Sequence, residues 1–526
     1  MVFWTEYIGQ CKSRLSAIAR SLLESRNRWK EVAQQRLREA LELRKEIEAG
    51  EKERDFLQNA LDDSKQECDR LREDLQRSQE TRSIELPDDP PLPHHQFGPR
   101  LIELCVNIAR MVGLRASIRA MKEFFDWLGI KVRLPTWQAV RNWMQRLGIA
   151  RTKRIKKSDG RIWIVDHSNQ IGQEKVLLIL SIDPKDLPAP GQTLRQSDVD
   201  VLASIPGTSW KREDVARVYE ETAKKFGAPR AVVADGAVEL REAIDLVDWH
   251  GKAKPIALRD FKHFLANRLE AVLKKDKDFE RYVSEVGKAR CAIQQTELSH
   301  LTPPSSKSKA RFMNLKPMLE WGKMILWYSS DPNCQKVDGV TPERFQEKLG
   351  WIKGFDKPLE RWNAYQQVIS ASLTWINENG VSRNSAKELK KVLAKLPEAK
   401  LGKSLSDEAI AFVSLQAIKI KSGERLLLST EIIESVFGGY KQFEGQHSKG
   451  GFTTLLPSLA SLLDRTSAKE ITSAFRHVPV KLVNQWIAKN LPNTNQSKRR
   501  RVSRQFRKSI QTTNTSPRAT ETYATT

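Results

Sequence analysis

No apolar run in the 526 residues approaches the ~18 that a membrane-spanning helix needs. The opening stretch, MVFWTEYIGQCKSR, lacks the apolar segment and small-residue cleavage site of a secretory signal. Cysteine is scarce and dispersed: Cys11, Cys68, Cys105, Cys291 and Cys334 form no CxxC pair. That excludes a disulfide framework and a Cys-rich zinc module, and fits a reducing compartment. Acid is also short: 65 Asp and Glu face 89 Lys and Arg, a net charge of +24 with a pI near 9.7. Such an excess favours a polyanionic partner. No basic amphipathic helix with an aromatic apolar face is present, so a membrane surface is not the expected polyanion. With 39% hydrophobic and 29% charged residues, the chain has enough apolar material for several packed domains.

The charge is unevenly placed. Residues 1–82 balance 17 basic against 17 acidic side chains. Residues 100–161 carry 15 basic against 4 acidic, and residues 491–526 carry 8 against 1. Residues 1–83 read as a long helix. From Leu57 a 4-3 spacing (Leu57, Leu61, Ser64, Cys68, Leu71, Leu75, Ser78) predicts a coiled-coil seam and self-association, with Gly50 as a break. Four prolines within LPDDPPLP make residues 84–99 an extended linker, and His94 and His95 belong to it.

Residues 100–157 read as a trihelical, helix-turn-helix DNA-binding domain. Its helices are expected at Arg100–Met111, Ser117–Leu128 and Trp137–Leu147, stopped by Gly113, Gly129 and Gly148. Thr136 suits the N-cap of the third. On that helix Gln138, Arg141, Asn142, Gln145 and Arg146 lie opposite the apolar face. They are the side-chain types that read base edges in a major groove. The run that follows (Arg151, Lys153, Arg154, Lys156, Lys157) is suited to track phosphates.

Periodicity then changes. RIWIVDHSN, KVLLILSID (175–183), RAVVAD (230–235) and KPIALRD (254–260) read as strands. Helices are expected at Lys211–Phe226, Val238–Leu246 and Phe261–Lys274, which makes residues 158–275 an α/β domain. Residues 276–425 are helical throughout, with Trp321, Trp327, Trp351, Trp362 and Trp375 mostly as core. Trp362 or Trp351 could stack on a flipped base. A helix is expected to open at Glu431, closing the α/β core (426–450). Short helices follow in 451–492, then a basic, disordered tail in 493–526. The expected class is α/β plus all-α.

Two carboxylates end apolar strands: Asp166 in Ile-Val-Asp-His and Asp235 in Val-Ala-Asp-Gly. Such residues leave the sheet edge rather than enter the core, and together they can hold a divalent cation. Each alone also suits a turn or a helix cap. Asp183 in the second strand rivals Asp166. His167 points to the opposite face and reads as structural. Asp260 and His263 either brace helix to sheet through a mutual hydrogen bond or stand near a reacting phosphate.

The ordered set of a helix-turn-helix, Asp166, Asp235, Asp260-Phe-Lys-His263 and a long helical stretch resembles the RNase H-fold DDE transposases with an all-helical insertion, such as the Mutator and hAT-like groups. Asp260-x-x-His263 matches the motif that follows their second aspartate, and Ser429-Thr-Glu-Ile-Ile-Glu434-Ser resembles the segment carrying their glutamate. The resemblance implies a catalytic and metal-binding triad of Asp166, Asp235 and Glu434, with two Mg²⁺ (or Mn²⁺) ions. It also implies accessory roles for Asp260, His263 and Lys441, the last matching a Glu-(six residues)-Lys spacing. Glu431 competes with Glu434, and Glu297 and Glu360 remain open if the insertion is shorter. The implied activity is metal-dependent DNA cleavage and strand transfer. The implied partners are double-stranded DNA, as terminal inverted repeats of a mobile element and as target, and a second copy of the chain. The expected location is the cytoplasm with the nucleoid, or the nucleus in a eukaryote. A transposase-derived DNA-binding protein without catalysis and a structure-specific nuclease are the alternatives.

Overall fold

The computed structural model describes residues 21–22, 25–33, 35–36, 61, 64–65 and 68–72, and from 88 onward all but 172–173, 306–314, 331–340, 398, 446–453, 492–494 and 515–526. The chain divides into two units, Met1–Asp88 and Asp89–Thr526. In the first, the described residues are helical and exposed, Leu61 and Leu71 among them. Leu57, Leu75 and Ser78 of the seam lie outside the described residues.

The second unit begins with three helices, α1 (Pro99–Val112), α2 (Leu114–Trp127) and α3 (Trp137–Arg154). The linker is tied down at Asp89, whose carboxylate accepts from the Arg100 and Leu101 N–H groups at 2.9 and 2.8 Å. Thr136 caps α3 by accepting from the Ala139 N–H. The expected stop at Gly148 is not observed, and α3 runs on to Arg154. Gly148 instead permits close packing, since a side chain there would collide with the Pro457 carbonyl.

Five strands follow in spatial order β3-β2-β1-β4-β5. They are β1 (Ile162–Ile171), β2 (Glu174–Ile182), β3 (Asp200–Gly207), β4 (Ala231–Ala234) and β5 (Ile256–Arg259). β2 is antiparallel to both β1 and β3, while β4 is parallel to β1 and to β5. β3 has no counterpart in the sequence reading. It contains Pro206, which suits only a strand paired on one side, and β3 is an edge strand.

Alternation divides the sheet residues between two cores. Trp163, Val165, Ile179 and Val232 pack against α4 (Arg212–Phe226) and α5 (Val238–Leu246). Ile162, Ile164, Leu178 and Val233 face the other way, into the main core. That core runs on through α6 (Phe261–Leu273), α7 (Lys277–Ile293), α8 (Lys316–Ser330), α9 (Pro342–Leu349), α10 (Asp356–Asn379), α11 (Ser385–Leu393) and α12 (Lys403–Ala417). Trp362 is buried there with its indole N–H on Asp276 at 2.9 Å, so it is core rather than a base-stacking platform. Trp351 is half-buried against Tyr282 and Phe355. The chain closes with α13 (Glu431–Gly445), α14 (Leu459–Leu462), α15 (Ala468–His477), α16 (Val480–Asn490) and α17 (Asn495–Asn514). The basic segment expected to be disordered is therefore helical as far as Asn514. The result is a mixed α/β sheet joined to a larger all-α part. No described helix is long and apolar enough to cross a membrane.

Candidate active site

β1 and β4 lie side by side and parallel, with Val165 beside Ala234. The next residue on each is an aspartate, which sets Asp166 beside Asp235; Asp235 follows the end of β4, but the strand end foreseen for Asp166 is not observed, because β1 continues to Ile171 and Asp166 pairs with Leu178 inside it. Asp166 shares the alternation of Ile162 and Ile164, faces the main core and is 9% exposed. The His167 N–H donates to its Oδ1 at 2.6 Å. Asp235 closes the turn after β4 by accepting from the Ala237 N–H at 2.8 Å. Burial, and next the negative charge of Asp235, push the Asp166 carboxyl up to about 7, against the pull of the His167 N–H and the His263 charge. Asp183 is at the opposite end of the sheet: Ile182 pairs with Ile162, and Asp183 caps a short turn through the Lys185 N–H at 3.2 Å. His167 lies on the other face as expected, buried and stacked on Trp210.

Asp260 follows β5 and caps α6. It is fully buried. Its Oδ1 accepts from the His263 backbone N–H at 2.6 Å and lies 3.0 Å from His263 Nδ1. Its Oδ2 accepts from the Thr430 N–H at 2.5 Å and the Thr430 hydroxyl at 2.9 Å. The Phe261 N–H donates to the Leu428 carbonyl at 2.9 Å. This latch fastens the start of α6 to the segment that leads into α13. The bracing role foreseen for Asp260 and His263 is thus present, and His263 also faces the carboxylate pair. Its hydrogen bond to Asp260 is the main cause of an imidazole pKa raised to about 9. Burial opposes the rise, and the charges of Asp260, Asp166 and Asp235 add to it.

Glu434 lies in the first turn of α13, the helix that packs against β1. Its carboxylate accepts from Lys262 Nζ at 2.8 Å, and Glu431 meets the same ammonium at 2.8 Å. Glu431 also accepts from the Asn377 amide. Burial works against the Lys262 charge, but the two glutamates outweigh it and hold the ammonium protonated. Lys441 is exposed about two turns further along α13. Glu297 pairs with Arg344 in the helical stretch, and Glu360 is exposed on α10.

The structure therefore brings Asp166, Asp235 and His263 together and ties Glu434 to Lys262 beside them. Among the described residues, no three His, Cys, Asp or Glu side chains converge closely enough to hold a metal ion. Two carboxylates side by side on neighbouring strands are nevertheless a donor set that fits a hard divalent cation, since Mg²⁺ is commonly held by one or two carboxylates with water completing the shell.

Sequence reasoning passed over Arg259. It ends β5 beside Ala234, and its guanidinium presses on Gly236, where a Cβ would come within 2.9 Å of it. Its Nε is buried with no hydrogen-bond partner among the described residues. The available signal was an Arg-Asp pair ending an apolar strand, next to an Asp-Gly turn.

The face of α3 assigned to DNA is divided. Gln138, Lys153, Arg154, Lys156 and Lys157 are exposed, and Arg141 and Asn142 are half-buried. Gln145 and Arg146 are buried and do not face solvent. Gln145 donates to the Thr454 carbonyl. Arg146 donates to the Val478 and Phe475 carbonyls at 2.7 and 2.8 Å and lies over the Phe475 ring. Arg151 donates to the carbonyls of Ala460, Asp464 and Arg465 and pairs with Glu470 at 2.9 Å; Arg154 also pairs with Glu470. Gln145, Arg146 and Arg151 anchor the C-terminal segment, whose open carbonyls they satisfy.

No protein-family model matches the chain, and no curated protein matches it. Among solved structures it is similar to a Drosophila P element transposase strand transfer complex, with 10% identity and a TM-score of 0.34 over 74% of this chain and 91% of that one. At that score the description of the fold rests on the strand order and packing given above.

Proposed function

We propose that the chain is a transposase-type, DNA-processing enzyme that cleaves and joins DNA strands at the Asp166–Asp235 pair. One observation carries this reading: two aspartates stand side by side on neighbouring parallel strands, Asp166 within β1 and Asp235 just past β4, with a glutamate-bearing helix latched next to them. The strand order 3-2-1-4-5 supports the RNase H-like fold that the motif set resembles. Asp166 and Asp235 would hold Mg²⁺ or Mn²⁺, which when bound supplies Lewis-acid activation of an oxygen nucleophile and charge neutralisation at phosphorus.

The remaining roles belong to the chain. His263 carries a positive charge toward the site and suits a non-bridging phosphate oxygen. Arg259 offers an unused N–H donor at the neighbouring strand end. Glu434 is the third carboxylate, and it must leave Lys262 to join the pair. DNA drawn to Lys262 would compete for that ammonium and favour the exchange. Exposed Gln138 and Lys153, Arg154, Lys156 and Lys157 are the proposed DNA contacts near α3, and self-association through residues 1–83 completes the proposed assembly.

The test uses purified full-length protein, a plasmid carrying the DNA that flanks its own coding sequence, and Mg²⁺ or Mn²⁺. Nicks and joined products are read on denaturing gels. Asp166→Asn and Asp235→Asn should each lower product formation by about 100-fold or more, because loss of even an outer metal partner costs up to that much. Equal activity in wild type and both variants defeats the reading. The Lys262 pairing of Glu434 favours one alternative, a DNA-binding protein of the same descent without catalysis. Tight DNA binding with no metal-dependent product would select it.

A further inference from the structure

β3 is one of the two edge strands of the sheet, and α3 and α14 pack against it. Thr152 on α3 donates to the Val201 carbonyl at 3.2 Å, covering one edge acceptor. The cover is incomplete. Three cavities of about 790, 260 and 470 Å³ follow the strand from Asp200 to Gly207. The first and second share Thr152, Val201 and Ala460 in their walls; the second and third share Ile205, Val218 and Lys489. They form one groove, as long as an eight-residue strand. That is about 26 Å.

The charges along this groove are not balanced within the chain. Its acids are largely committed: Asp200 to Arg161, Asp214 to Arg217, Glu470 to Arg151 and Arg154. Lys153 from α3, Lys225 from α4 and Lys489 from α16 line the middle cavity, with Glu221 as the acid among them. Lys498 from α17 lines the third. Among the described residues none of these four lysines forms an ion pair. Burial, and next the charges of Lys153 and Lys489, disfavour the charge on Lys225. Three like charges converge from three separate helices against the single carboxylate of Glu221, an excess that an anion in the space between them would relieve. Trp486, half-buried, lines the same cavity.

We propose that the β3 groove is a second nucleic-acid track, in which Lys153, Lys225 and Lys489 hold the sugar-phosphate backbone of DNA along the sheet edge. It is separated from the carboxylate pair by β2, since Asp166 and Asp235 stand on β1 and after β4. The choice of DNA over another polyanion rests on the DNA-processing reading. The track gives that enzyme a hold on DNA away from the bond being cut.

Fluorescence anisotropy of a labelled 30-base-pair duplex, in EDTA so that no cleavage intervenes, tests the groove. Wild type, Lys225→Glu/Lys489→Glu and the milder Lys225→Gln/Lys489→Gln are compared between 50 and 200 mM salt. The glutamate variant should bind about tenfold or more weakly, with a salt slope shallower by about two, one unit per lost phosphate contact. The glutamine variant should show the same slope change with a smaller loss. Wild-type DNA should also protect Lys225 and Lys489 from an amine-acetylating reagent, read by mass spectrometry. Unchanged slope and protection in a wild type that binds DNA overturns the groove and leaves the cleavage reading intact. Lysine-dependent binding by a chain that never cuts DNA upholds the groove and overturns cleavage. No DNA binding by wild type overturns both.

Discussion

Around α3, the guanidinium groups of Arg146 and Arg151 end on backbone carbonyls and on Glu470, so each buried charge meets oxygens of opposite polarity. Within β1 and just past β4, by contrast, Asp166 and Asp235 stand together with the same sign, and Asp166 holds its proton up to about 7 as a result of burial and of that neighbour. The first region is a joint. Its charges are used up in holding helices together, and nothing is left to offer a ligand. The second keeps an internal conflict that only an added cation, or a proton, relieves. A polar helix face is therefore a weaker pointer to function than a pair of like charges that the fold goes out of its way to bring together.

The sharpest way to break this comparison is to remove the joint. Arg146→Met deletes both carbonyl contacts while keeping bulk, and should cost about 3 kcal/mol of stability, since buried carbonyls lose charged donors. A urea midpoint shift at constant slope measures it. A change below ~0.5 kcal/mol would place Arg146 among ordinary surface residues and return it to the DNA-reading face.

A smaller effect separates the two regions by pH. Burial works to raise the Glu470 carboxyl, but the hydrogen bond from Arg151 and the charges of Arg151 and Arg154 bring it below the usual range. Its folded pKa is depressed, so its contribution is present above the unfolded value near 4.3 and lost as pH falls through the folded one. Glu470→Gln should lower stability by about 1–2 kcal/mol at pH 7 and leave it unchanged at strongly acid pH. Urea titrations at both pH values read the difference.

The smallest effect has the opposite sign. Asp166 has a raised folded pKa, so its contribution is complete below about pH 4 and disappears as pH rises through about 7. In chelator-treated protein, Asp235→Asn should lower the Asp166 titration midpoint, followed by carboxyl NMR. It should also flatten the fall in stability across that window. An unmoved midpoint would mean that burial alone raises Asp166 and that the two carboxylates are not a pair.

Four strands and the two aspartates were legible because apolar runs such as KVLLILSI and AVVA fix strand and direction with little help from the rest of the chain. Parallel neighbours then carry Asp166 and Asp235 to one place. That β1 runs on past Asp166 was not legible, and β3 was hidden by Pro206 and by a lack of alternation. The fate of Arg146 and Gln145 was also hidden, because their partners, Thr454, Phe475 and Val478, lie more than 300 positions further along, and a local pattern holds no trace of them. Gly148 misled for the same reason. Its lack of a side chain answers to Pro457, not to the end of a helix. The Lys262 bridge to Glu431 and Glu434 joins first turns of two helices, and spacing in the sequence says nothing of it.

The latch at Asp260 and Thr430 has a consequence for how this chain can change. Where Phe261 leaves the sheet and Leu428 leads into α13, the two ends meet through the Phe261–Leu428 hydrogen bond and the two from Thr430 to Asp260. Between them the chain makes a closed excursion, tied back again by Arg230 with Glu424 and by Asn377 with Glu431. Because closing a longer loop adds only about 0.6 kcal/mol per doubling of its length, the stretches away from these ties can grow or shrink with little effect on where Glu434 is set down.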